Sequence, residues 1–136
     1  MPTLEIKATV ENLDTVIAFI DEQLEAADCP MKTQMQIELA VEEIFVNIAH
    51  YAYAPETGMA VISVDISGGR AVITFEDSGI PYDPLAKPDP DTTLAAEDRG
   101  VGGLGIFMVK KSMDDVIYEY REGKNILTLV KELAPL

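Results

Sequence analysis

Cysteine and histidine are nearly absent from this sequence, which has one of each, Cys29 and His50. A single thiol cannot form a disulfide within the chain, and one Cys with one His cannot make the four-ligand set of a structural zinc site. Cys29 precedes Pro30 at a turn and reads as structural. Basic residues are also scarce, ten Lys and Arg against twenty-four Asp and Glu, for a formal charge of −14. A nucleic-acid backbone binds proteins chiefly where Lys and Arg displace its counterions, so nucleic acid and anionic membrane are not expected as partners. No apolar run approaches the ~18 residues that span a bilayer. The opening residues "MPTLEIKATVENL" lack the basic-then-apolar order of a secretory leader. A cytoplasmic location is the expectation.

What the chain does contain is enough apolar material for one substantial core: 48% hydrophobic residues in a length of 136. Residues 4–10, "LEIKATV", alternate as a half-buried strand does. In the next segment Leu13, Val16, Ile17, Ile20 and Leu24 recur at helical spacing, with Asn12 or Asp14 as the expected cap. A second, longer helix is expected from Met31 to about Tyr53, ended near Pro55 and Gly58. "AVISVDI" and "RAVITFED", on either side of an "SGG" turn, read as a hairpin rich in β-branched residues. Residues 78–103 then hold Pro81, Pro84, Pro88 and Pro90 among acids and small residues. A loop of that length inside a small domain is usually functional. From Leu104 the pattern turns helical, and two more strands follow around a turn at Glu122 to Asn125. The order strand, helix, helix, two strands, loop, helix, two strands predicts a two-layer α/β sandwich, its helices on one sheet face.

Three stretches carry chemistry. In "LAVEEIFVNIA", residues 39–49, Glu42, Glu43 and Asn47 interrupt a segment that is apolar on nearly every side. A buried carboxylate or carboxamide costs several kcal/mol without a partner, roughly 2 or more. Glu43 and Asn47 are one helical turn apart on one face, so they invite a shared partner. In "EDSGIPYDP", Asp77 stands at a strand end with Gly79 beside it. Its carboxylate can accept from an exocyclic amine such as adenine's, and Gly79 lets a flat ring approach the backbone. In "RGVGGLGIFMVKK", residues 99–111, four glycines lead into a helix, whose first N–H groups are free to hold phosphate oxygens. The stretch matches neither the Walker pattern nor the dinucleotide fingerprint.

In this order and spacing, the three stretches resemble the nucleotide-binding boxes of the GHKL ATPase and kinase superfamily. Within it, residues 4–133 look like the short anti-sigma factor serine kinases of bacteria. The resemblance implies a Bergerat-type fold with a mixed, mostly antiparallel sheet, residues 1–136 forming one ATP-binding domain. It implies Glu43 as general base, Asn47 as ligand of a magnesium ion, and Asp77 and Gly79 at the adenine. Gly100, Gly102, Gly103, Leu104, Gly105 and Ile106 would lie at the phosphates, with residues 80–99 as a lid. Three positions depart from the family pattern. Tyr51 stands where a histidine is common, with His50, read as a helix-surface residue, one place earlier. Arg99 stands two positions upstream of a usual arginine, and Asn125 replaces a threonine of the last hairpin, with Thr128 near it. The implied function is phosphorylation of a serine on an anti-sigma antagonist by a sigma-binding protein, which uses ATP and magnesium and is commonly a homodimer. Two alternatives stand beside it. One is a regulatory module that binds nucleotide without transferring phosphate. The other is a histidine-kinase-like catalytic domain, against which the short lid and lack of dimerisation helices count.

Overall fold

The computed structural model describes residues 2–53, 56–86 and 103–133. Strand β1 spans Thr3–Lys7, helix α1 Leu13–Ala26 and helix α2 Met31–Asn47, which runs into a π-helical turn at Ile48–Ala52. Strands β2, Met59–Ser67, and β3, Arg70–Asp77, form the expected hairpin. Helix α3, Gly103–Ser112, precedes strands β4, Asp115–Arg121, and β5, Lys124–Glu132. The sheet order is β1-β2-β3-β5-β4, and every pair is antiparallel. Among the described residues the sheet is antiparallel throughout rather than mixed. Each hairpin has a two-residue turn with both φ angles positive, at Gly68 and Gly69 and at Glu122 and Gly123. Such mirror-image turns match the twist of the strands they join.

Alternation along the strands decides which sheet face is covered. Ala71, Ile73, Phe75 and Asp77 of β3 are buried, as are Asn125, Leu127 and Leu129 of β5, while the residues between them are half-exposed. The three helices pack on that one face. Helix α1 contributes Val16, Ile20 and Leu24, and α2 contributes Ile37, Val41, Ile44 and Phe45, all buried. Phe45 and Phe75 are the largest side chains in this core. Removing either ring costs about 3 to 5 kcal/mol.

Three boundaries and one cap differ from the sequence expectation. Strand β1 ends at Lys7 rather than residue 10, because its partner β2 begins at Met59, the residue paired with Lys7. Asn12 does not cap α1 through its side chain. Its Nδ2 donates instead to Lys7 O at 3.0 Å, tying the helix start back to β1. The second helix does not continue to Tyr53 as an α-helix, since the wider π turn begins at Ile48 and brings Ile48 and Ala52 both to the buried side. The last hairpin turns at Glu122 and Gly123, so Asn125 belongs to β5 and faces the core opposite Asp77.

Candidate functional site

The end of α2, its π turn and the ends of β3, β5 and β4 surround an apolar slot. Ile44, Ile48, Phe75, Ile80 and Leu127 line its walls, and Asn47, Asp77 and Asn125 bring polar groups to it. Few polar groups on an apolar lining is the usual make-up of a small-molecule site. The enclosed space is about 40 Å³, enough for a water or two and much less than a purine. Tyr51 and Tyr82 stack at the slot, ring centroids 6.1 Å apart and planes 28° from parallel.

Asp77 is 7% exposed. Its Oδ1 accepts from Gly79 N at 2.9 Å and from Asn125 Nδ2 at 2.9 Å. Both bonds fall on one oxygen, so Oδ2 is the acceptor Asp77 has for a ligand amine. Asn125 uses its whole capacity on the protein. Nδ2 also donates to Ile80 O at 2.8 Å, and Oδ1 accepts from Tyr82 N at 3.1 Å and from the Tyr118 hydroxyl. Burial pushes the Tyr118 phenol above its ordinary pKa, partly opposed by a bond to the Tyr82 backbone, so it stays a neutral donor. Asn125 therefore reaches a ligand through Asp77 and the loop it holds. Thr128 has the opposite strand parity to Asn125 and lies on the other sheet face.

Gly79 is required by the π turn. A Cβ there would stand 2.6 Å from Ala52 C and closer still to Ala52 O, the oxygen that accepts from Ile80 N at 2.9 Å. Tyr53 secures the same junction, donating from its hydroxyl to Met59 O at 2.6 Å and accepting from Ser78 N at 2.8 Å. The approach of a flat ring to Gly79 remains the expectation from sequence, and the space on the side where a Cβ would stand is occupied by Ala52.

Glu43 and Asn47 do meet. Asn47 Nδ2 donates to Glu43 Oε1 at 3.2 Å. That bond uses one N–H of the amide and leaves Asn47 Oδ1 as an acceptor, the kind of atom a hard cation takes. Among the described residues no group of three His, Cys, Asp or Glu side chains converges. A magnesium ion here would draw most of its ligands from phosphate and water, as is usual for that ion, so the residues fit it. Burial raises the Glu43 carboxyl above its ordinary range; the Asn47 bond opposes this and the Glu42 charge adds to it. A carboxylate raised in this way is a better proton acceptor near neutral pH. Helix α3 crosses so close that a Cβ at Gly105 would collide with the Glu43 carboxylate.

The remaining expected residues divide. Tyr51 lies at the slot, 43% exposed. Gly103, Leu104, Gly105 and Ile106 form the first turn of α3. Ile106 is buried in the core, which leaves its main chain to offer a ligand. Arg99, Gly100, Gly102 and the lid from residue 87 onward lie outside the described residues. The sequence reading missed Tyr82 and Tyr118. Their one signal was the tyrosine content of "IPYDP" and "VIYEY", which acquires meaning only once β3, β5 and β4 are side by side.

An open antiparallel sheet with helices on one face, and an apolar slot closed by an aspartate, is the architecture of the GHKL ATPase domains. The chain belongs to that class through the histidine kinase-like ATPase domain family, whose model matches residues 6–131. It is 23% identical over 134 residues to the serine/threonine-protein kinase BtrW of Bordetella bronchiseptica, 98% of this chain and 94% of that one. It is 27% identical over 95 residues to the serine-protein kinase RsbW of Bacillus cereus, 67% of this chain and 59% of RsbW. Among solved structures, the RsbU and RsbW domains of a Mycobacterium tuberculosis protein align with a TM-score of 0.68 at 19% identity, covering 100% of this chain and 34% of that one. The SiaB–SiaC complex of Pseudomonas aeruginosa aligns with a TM-score of 0.59 at 15% identity, covering 94% of this chain and 88% of that one. The chain thus spans nearly all of BtrW but less than two thirds of RsbW and about a third of the mycobacterial chain.

Proposed function

We propose that the chain is an ATP-dependent protein serine/threonine kinase of the anti-sigma type, which holds a sigma factor and phosphorylates a serine on an antagonist domain. The observation that carries this reading is the bonded pair Glu43 and Asn47 beside an apolar slot that ends at Asp77. The names of BtrW and RsbW support it. Asp77 Oδ2 accepts from the adenine amine, and Tyr51 offers its ring to the base. Asn47 Oδ1 would hold magnesium, and main-chain N–H groups at the start of α3, with Gly100, Gly102 and Arg99, would hold phosphate oxygens. Bound magnesium ATP would supply the phosphoryl group and a cation that offsets the charge of transfer. Glu43 takes the proton of the acceptor hydroxyl as its oxygen bonds to phosphorus. A homodimer in the cytoplasm is part of the same reading. Among the described residues no helix is long and apolar enough to cross a membrane.

The test is incubation with γ-labelled ATP, magnesium and antagonist domains from the source cell. Acid-stable phosphoserine on one of them is the expected product. Acid-labile phosphohistidine would assign the chain to histidine phosphorylation. ATP binding with no transfer to any domain would leave a nucleotide-set regulatory module.

A further inference from the structure

Glu43 and Asn47 open into different cavities. Asn47 lines the slot, whereas Glu43 lines a groove of about 530 Å³ between α2 and α3. Their hydrogen bond is the seam between the two. Phosphoryl transfer needs two substrates held end to end, and the proton acceptor must face the one that loses its proton. With nucleotide in the slot, the groove is the side left for the other substrate.

We propose that the α2–α3 groove seats the phosphoryl acceptor, a polypeptide segment that presents a serine or threonine hydroxyl to Glu43, lays apolar side chains on Leu39 and Met108, and carries a Lys or Arg beside the hydroxyl. The proposal rests on the kinase reading and adds where its protein substrate docks. Leu39 is 66% exposed and Met108 57%, one on each wall, and Met35, one turn before Leu39, is 54% exposed. Scattered exposed apolar residues are ordinary, but Leu39 and Met108 on opposite walls of one groove, with Met35 a helical turn before Leu39, make a patch that a partner covers. The charged residues that line the groove are both acids, Glu42 and Glu43. A nucleic acid or anionic bilayer is repelled there, and a second copy of a chain with charge −14 brings acids against acids. A segment with a basic residue complements Glu42 and is steered to it. In the step itself the acceptor oxygen bonds to the γ-phosphorus and the bond from that phosphorus to the β–γ bridging oxygen breaks. The hydroxyl proton passes to Glu43 and ADP departs.

Synthetic peptides with one central serine, flanked by Leu or Gln and by Lys or Glu, test this with γ-labelled ATP and magnesium. They are presented to the wild type, to Leu39→Gln, Met108→Gln and Glu42→Lys, and to Ile117→Gln on the uncovered sheet face as a control. Wild type labels peptides with Leu and Lys about tenfold more efficiently than those with Gln and Glu. Leu39→Gln and Met108→Gln raise the peptide KM about 5- to 20-fold and leave kcat and ATP affinity unchanged. Glu42→Lys moves the preference toward Glu-flanked peptides, and Ile117→Gln changes nothing. Labelling without flank preference, groove variants with unchanged KM, or no labelled peptide at all overturns the proposal. So does a wild-type dimer that Leu39→Gln dissociates, which would give the groove to a second copy. The kinase reading fails separately, if the protein does not bind ATP or transfers to no antagonist domain.

Discussion

In the proposed reading, base recognition turns on Asp77. Its Oδ1 is spent on Gly79 and Asn125, so its value to a ligand is the one remaining carboxylate oxygen. Adenine offers an amine to that oxygen, and guanine offers a carbonyl at the same ring position. Asp77→Asn keeps an acceptor for the two internal bonds and replaces the outer oxygen with a donor. Calorimetry is expected to show ATP affinity falling by roughly 1 to 3 kcal/mol and the preference over GTP disappearing. Equal ATP and GTP affinity in the wild type contradicts the assignment. Glu43 and Asn47 were legible in the sequence as polar groups in an apolar run, and Asp77 as an acid at a strand end two residues before Gly79. Tyr82 and Tyr118 were not, because their bonds to Asn125 close across 43 and 7 residues of chain and depend on strand pairing.

Among the elements, the hairpins were the most legible, since period-two alternation and paired glycines specify both face and turn. The π turn was not, because "NIAHYA" carries no breaker that separates a wide turn from a regular one. It leaves its mark at Gly79, whose missing side chain is the space Ala52 occupies. Gly79→Ala is expected to lower stability by about 2 to 4 kcal/mol, since main chain rather than a flexible side chain must move. Thermal unfolding checks this, and an unchanged midpoint contradicts it. The α1–α2 contact carries a different cost. A hydrogen bond to the Asp21 carboxyl raises the Glu38 pKa, with burial and the charges of Asp21 and Glu25 adding and Gln34 opposing. Asp21 Oδ1 is buried without a hydrogen-bond partner. Because folding raises the Glu38 pKa, its proton favours the native state, and the penalty is present above the folded pKa and vanishes below the unfolded one. Glu38→Gln, which can donate to Asp21, should raise the melting temperature by about 1 °C at pH 7, because solvent screens this carboxyl, and by less near pH 4.

At the scale of the whole molecule, the sandwich was legible from element order, but the strand order was not. Placing β5 between β3 and β4 is a long-range choice, and it alone brings Asn125 opposite Asp77. The same arrangement sets Asn47 in the slot and Glu43 in the groove, so that in the proposed reading a single turn of α2 would serve both substrates. The account stands on Glu43 acting in transfer and not in nucleotide binding. ATP affinity and single-turnover transfer to an antagonist domain, measured together across pH for the wild type and Glu43→Gln, test this most directly. Glu43→Gln should bind ATP within about threefold of the wild type and transfer about 100- to 10,000-fold more slowly. The wild-type rate should rise with pH through an acid limb displaced upward from the usual carboxylate range, because only ionised Glu43 accepts the proton and burial raises its pKa. That limb should be absent in Glu43→Gln. Equal transfer by the two proteins, or a loss explained by weaker ATP binding, would contradict the account.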